Sequence, residues 1–133
     1  MNPHLFVYGS LMSTVGHAMG ARLAAEARLV GPATIAGRLY RVSWYPGAAE
    51  ANEPEQRVHG EVYALGSPDR TLAWLDAYEG IVPGSEESGE YLRVERPARL
   101  AIGAEVVAWV YLYGKDVAGL SLVPGGCWTA DTR

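Results

Sequence analysis

Cysteine and lysine are almost missing from this 133-residue chain, with one of each: Cys127 and Lys115. A lone cysteine has no intrachain disulfide partner and excludes any cysteine-based zinc cluster. Positive charge as a whole is thin. Eleven basic residues with no basic tract stand against fifteen acidic ones, for a net charge of −4. That balance argues against a nucleic-acid binder, whose affinity is mostly phosphate neutralisation, and against docking on an anionic membrane. The three histidines, His4, His17 and His59, are too dispersed to suggest a metal site. The longest apolar run, residues 106–113, falls far short of the ~20 residues that span a bilayer. The N-terminus has no basic segment leading into a long apolar core, so it does not read as a signal peptide. Dinucleotide and Walker loops, the zincin H-E-x-x-H and the G-x-S-x-G elbow are all absent.

What is present is an ordinary globular composition, 49% hydrophobic and 20% charged. Length and composition together predict one cytoplasmic domain over residues 1–133. Residues 5–8 read as a short interior strand ending at the Gly9-Ser10 turn. Residues 12–27 are Ala- and Gly-rich and read as partly helical, broken near Gly16 and Gly20. Residues 28–42 read as two strand pieces bent at a glycine, residues 44–47 as a turn, and residues 48–56 as a polar surface loop. A strand follows at 58–65, with Val58, Gly60, Val62 and Ala64 on one face. The clearest helix spans residues 68–79. Ser67 is its N-cap, Pro68 its first position, Asp69 sits at the positive end, Leu72 and Leu75 face inward, and Gly80 stands beyond its end. Residues 81–90 read as a Gly-, Ser- and Glu-rich loop able to move. Two more strands follow at 91–100 and 105–113, the second apolar on both faces and therefore central. The tail from Lys115 reads as loop. The sum is a β-dominated α+β domain: a small barrel or strongly curled sheet with helices packed outside.

Two places can carry chemistry. Gly9, Ser10 and Leu11 supply consecutive backbone N–H groups past a strand end, a concavity suited to a carboxylate or other anion. A nucleophilic Ser10 would need a histidine base held by a third group, and nothing in the spacing favours any of the three histidines; the plainer reading is a turn serine. Glu79, in the last helical turn, sits at the negative end of the helix dipole, and burial under Trp74 and Tyr78 adds to that field. Both raise its pKa toward the range of a general base at neutral pH. The alternative is a solvated surface glutamate. Tyr45, Tyr91 and Tyr113 read as polar-tipped aromatics in core or rim packing.

Taken together, these pieces resemble the gamma-glutamylcyclotransferase-like family. Phe6-Val7-Tyr8-Gly9-Ser10-Leu11 resembles its Tyr-Gly-Ser-Leu motif. Leu75-Asp76-Ala77-Tyr78-Glu79-Gly80, with Glu90-Tyr91-Leu92-Arg93 after a loop, resembles its Leu-Asp-x-x-Glu-Gly…Tyr-x-Arg block. Val58-His59-Gly60-Glu61-Val62-Tyr63 and Trp109-Val110-Tyr111 resemble two of its strands. Order, spacing and coverage of about residues 4–128 make the likeness specific, and by length it resembles the short bacterial and gamma-glutamylamine cyclotransferase branch. One departure is Gly126-Cys127-Trp128, where many such proteins have Gly-Asp-Trp. The resemblance implies an α+β fold, a small mixed β-barrel with flanking helices, and the conversion of a γ-glutamyl amine or amino acid to 5-oxoproline and free amine; the alternatives are a non-catalytic binding domain for an acidic small molecule and an amide hydrolase using the same pocket. It implies Glu79 as general acid/base, and a glutamyl group held by Tyr8, Gly9, Ser10 and Leu11, with Tyr91 beside them. No metal, cofactor, nucleic acid or membrane enters this expectation, only a small-molecule γ-glutamyl partner.

Overall fold

Leu5, Phe6 and Val7 are shut off from solvent because the strand they form, β1 (His4–Val7), is one stave of a closed barrel. The structure is a computed structural model and describes residues 1–81 and 89–129. After β1 come helix α1 (Ala18–Glu26), strands β2 (Ala27–Ala36), β3 (Arg38–Arg41), β4 (Pro46–Ala49) and β5 (Arg57–Leu65), helix α2 (Pro68–Tyr78), strands β6 (Tyr91–Leu100), β7 (Glu105–Tyr113) and β8 (Ser121–Leu122), and a 3-10 turn at Pro124–Gly126. The barrel order is β1-β5-β2-β6-β7. Its neighbours run antiparallel except at the seam, where β1 lies parallel to β7 with Leu5 opposite Trp109. Closure leaves no free strand edge in this sheet. A second sheet, ordered β4-β3-β8, sits against it. This is the mixed α+β barrel with flanking helices that the resemblance implies, and it settles the choice between barrel and curled sheet that the residue pattern left open. No helix among the described residues is long and apolar enough to cross a membrane.

The β2 bend is a bulge, with the register against β5 slipping between Leu29 and Gly31. Gly37 then separates β2 from β3 and lets the chain leave the barrel for the second sheet. Helix α2 packs through Leu72 and Leu75, both fully buried, and shortening either to alanine would cost about 2–5 kcal/mol. Its end is a complete Schellman motif. Gly80 (φ +79°) donates its N–H to Ala77 O at 3.2 Å, and Ile81 donates to Asp76 O at 2.9 Å.

Several expectations are corrected. Helix α2 ends at Tyr78, so Glu79 is the C-cap residue and not a member of the last turn. Ser67 makes no side-chain cap; its carbonyl accepts from Thr71 N instead, at 3.0 Å. Gly20 does not break α1. It is buried inside the helix, where a Cβ would stand 3.1 Å from Leu11 O, so its missing side chain lets α1 close on the 9–11 turn. Residues 46–49 are strand β4 where a turn and a surface loop were expected, because β3 supplies a partner that local sequence does not announce. The tail carries the short strand β8, paired to β3 through Tyr40 and Leu122. Along β5, Glu61, Tyr63 and Leu65 are buried as well as Val58 and Val62, since loops and helices cover its outer face. Of the loop read at 81–90, residues 82–88 lie outside the described residues.

Gly60 fixes how closely β1 approaches β5. A Cβ there would stand 2.1 Å from Val7 O and 2.7 Å from the Phe6 ring. Gly60→Ala therefore has to push the end of β1 outward, a cost of about 1–3 kcal/mol or more for overpacking. Denaturant melts should show that loss, and an unchanged midpoint would mean the strand end yields freely.

Candidate active site

The site begins where β1 stops. Tyr8 is buried, and its hydroxyl donates to Tyr111 O of β7 while accepting from Ala48 N of β4 at 3.1 Å. The chain then turns, with Met12 N donating to Gly9 O at 3.0 Å. A Cβ on Gly9 would stand 3.0 Å from the Pro46 ring, so glycine lets the turn pass beneath β4. Behind it, the buried Glu61 carboxylate accepts from Ser13 N at 2.7 Å and Ser13 Oγ at 2.6 Å. The loop backbone is thus fixed from two sides. Among the described residues, the N–H groups of Ser10 and Leu11 meet no acceptor. They stay available as donors.

A cavity of about 460 Å³ opens in front of this loop. Tyr8, Gly9, Ser10, Leu11, Glu79 and Tyr91 all line it, so the fold brings the site residues that the resemblance implies to one cavity, across some 80 positions of chain, while Tyr113 and Trp74 lie outside the lining. Ser10 Oγ lies 2.9 Å from Tyr78 Oη. No histidine is bonded to Ser10 among the described residues; His17 instead caps α1, its Nδ1 accepting from Met19 N at 3.0 Å. That arrangement favours a turn serine over a nucleophile. Tyr91 faces the cavity with its ring, but its buried hydroxyl is spent on Pro46 O.

Glu79 is half-buried at the cavity wall, with the carbonyl end of α2 behind it. Its carboxyl is pushed up to about 7, first by burial, then by the nearby carboxylates of Glu90 and Asp76. Burial is the expected cause, and Tyr78 is one of its agents as expected, but Trp74 is not. Trp74 points elsewhere. Five residues before Glu79, it is roughly 140° round the helix, where its Nε1 donates to Glu26 at 3.0 Å and Arg22 lies over its ring. Glu79 is desolvated instead by the aromatic cavity wall, which includes Tyr8, Tyr78 and Tyr91.

Asp76, one turn earlier, is bound by Arg93 (2.8 Å) and by the Tyr111 hydroxyl (2.6 Å). This joins α2 to β6 and β7 and fixes the helix end that carries Glu79. Two residues that sequence reasoning did not assign to the site also line the cavity. Tyr45 donates its hydroxyl to the Glu90 carboxylate, 2.8 Å from each oxygen, and is itself pushed up to about 12, chiefly by burial and then by that carboxylate. The only local signal for Glu90 is its place directly before Tyr91 in the Tyr-x-Arg block. Cys127 is exposed and outside the cavity lining, so the departure at that position does not touch this site. No group of three or more metal-ligating side chains is arranged to hold an ion among the described residues.

A family model described as "Gamma-glutamyl cyclotransferase, AIG2-like" matches residues 5–130. The chain belongs to that family. It is 36% identical over 127 residues to the gamma-glutamylcyclotransferase family protein YtfP of Escherichia coli K12, covering 93% of this chain and 94% of that one. The solution structure of E. coli YtfP aligns with a TM-score of 0.64 at 32% identity, covering 98% and 99% of the two chains. A crystal structure of a mouse AIG2-like protein gives a TM-score of 0.69 at 20% identity, covering 96% and 94%, which speaks for the fold alone. Within this family fold, the strand-end loop and the helix-end glutamate share one cavity.

The raised Glu79 pKa has a consequence for stability. The folded protein holds this proton more tightly than the unfolded chain does. The favourable contribution is therefore complete below the ordinary value of 4.5 and is lost as pH rises through about 7. Glu79→Gln removes the buried charge. The variant should match wild type near pH 4–5 and exceed it by up to about 3 kcal/mol near pH 8. Melts across that range check this, and a gap that does not widen with pH would show that Glu79 is well solvated.

Proposed function

We propose that this protein is a gamma-glutamyl cyclotransferase, releasing 5-oxoproline and a free amine from a small γ-glutamyl amine or amino acid. The observation that carries the reading is a single one: a carboxyl group with a near-neutral pKa shares a cavity with a fixed loop whose Ser10 and Leu11 N–H groups meet no acceptor among the described residues. In this reading the glutamyl group lies against Gly9, Ser10 and Leu11, beside the aromatic wall. The α-ammonium group first gives one proton to solvent, and Glu79 takes the next from the resulting amine. The amine nitrogen attacks the γ-carbonyl carbon, closing a five-membered ring. Negative charge develops on the carbonyl oxygen, where the Ser10 and Leu11 N–H groups can stabilise it. The bond from that carbon to the departing nitrogen then breaks, and Glu79 returns its proton to the leaving amine. One carboxyl of near-neutral pKa suits both proton transfers. Ring closure joins two ends of one molecule, so much of the rate comes from holding the substrate folded. No water or cofactor is consumed. The reading is that of a cytoplasmic enzyme with a small-molecule partner.

Glu79→Gln keeps the shape and removes the proton acceptor. It should fold and lose about 10²–10⁴ in rate, while Ser10→Ala, which keeps the N–H, should retain most activity. A panel of γ-glutamyl compounds with detection of 5-oxoproline provides the assay. Free glutamate as the product would make the protein an amide hydrolase, and near wild-type turnover by Glu79→Gln would remove Glu79 as the base.

A further inference from the structure

The chemistry above leaves one charge unassigned. The α-amine of a γ-glutamyl compound arrives largely as an ammonium ion, because the ordinary pKa of an α-amino group, about 8, lies above neutral pH. Something in a partly closed, aromatic cavity has to accept that charge. Glu79 cannot serve throughout, since it becomes neutral when it takes the proton. Asp76 is already bound by Arg93 and Tyr111 and does not line the cavity. The loop offers donors, which suit an anion. Lys115, also in the lining, carries the wrong sign.

Glu90 fits the need. It lines the same cavity, directly before the start of β6. Its backbone is fixed by Gly114 N, which donates to Glu90 O at 2.7 Å. Its carboxylate is fixed by the Tyr45 hydroxyl, 2.8 Å from each oxygen. Tyr45 in turn is wedged edge-on against Trp44, with ring centroids 5.1 Å apart. Tyr45 is a neutral donor, and a carboxylate has about four lone-pair sites, so it retains acceptor capacity for an ammonium ion, for which a charge-assisted bond is among the stronger kinds. This carboxylate also stands close enough to Glu79 to bear on its proton affinity.

We propose that Glu90, held in place by Tyr45, is a substrate-binding residue that docks the α-ammonium group beside Glu79. The inference rests on the cyclotransferase reading for the identity of the ligand, but its test does not require turnover. The probes are the γ-methylamide of L-glutamic acid and the same compound lacking the amine, glutaric acid monomethylamide. Binding of each is measured by calorimetry at pH 7 to Glu79→Gln, in which catalysis is blocked, and to the Glu79→Gln, Glu90→Gln double variant. With Glu90 present, the ammonium compound should bind about 10–100-fold more tightly, the span of one hydrogen bond to a charged group. Without it that preference should collapse to a fewfold, with the deaminated compound little changed. Tyr45→Phe on the Glu79→Gln background should lose part of the preference, and it provides a second reading if the double variant melts early. An equal preference with and without Glu90, or no binding of the ammonium compound at all, overturns the inference. A wild-type protein that shows the Glu90-dependent preference yet releases no 5-oxoproline would instead overturn the cyclotransferase reading and leave the ammonium site standing.

Discussion

Two tyrosine hydroxyls hold strand β4 over the mouth of the barrel, and the site exists because they do. The strand pairs with β3 on one side only, so its other edge presents unpaired backbone groups. Tyr8 accepts from Ala48 N, and Tyr91 donates to Pro46 O. Leaving buried backbone groups unmet would cost about 1–3 kcal/mol each. Gly47 makes the approach possible, since a Cβ there would stand 2.8 Å from the Tyr113 side chain. Once β4 is pinned, Pro46 closes over Gly9, and the segment that leads into it sets Trp44 and Tyr45 along the rim. The phenols of Tyr8 and Tyr91 are spent on architecture, while their rings form the cavity wall.

The same wall sets the chemistry. Aromatic rings take water away from Glu79, and desolvation weighs more on its charge than either neighbouring carboxylate. Two acidic side chains three residues apart at the end of α2 thereby have opposite fates. Asp76 meets Arg93 and the Tyr111 hydroxyl and acts as a structural tie. Glu79, three residues on, is the C-cap ahead of a Schellman turn. Among the described residues no arginine or hydroxyl is bonded to its carboxyl, and its proton affinity is set by burial and the nearby carboxylates. Buried acids tuned in this way cluster where chemistry is done. The strain of placing a carboxylate there is met by the rigid frame of Leu72, Leu75 and the Asp76 tie.

Much of this was legible in the sequence. The Leu72 and Leu75 spacing with Pro68 and Gly80 marked α2, the period of the long strands marked a curled sheet, and the glycine after Tyr8 marked the turn, because each is a local preference that the backbone expresses wherever it lies. Glu79 stood out for its position at a helix end. Strand β4 did not, since Pro46-Gly47-Ala48-Ala49 has no strand pattern of its own and depends on β3 and two tyrosines for its bonds. Neither did the place of Gly20, which only the closeness of Leu11 explains. The sequence alone determined which residues carry charge, donors and rings, and in what local conformations. Only the tertiary structure decided that Glu79, Glu90 and the 8–11 loop face one cavity, and which partners the tyrosine hydroxyls meet, because desolvation and long-range hydrogen bonding depend on neighbours that chain order does not specify.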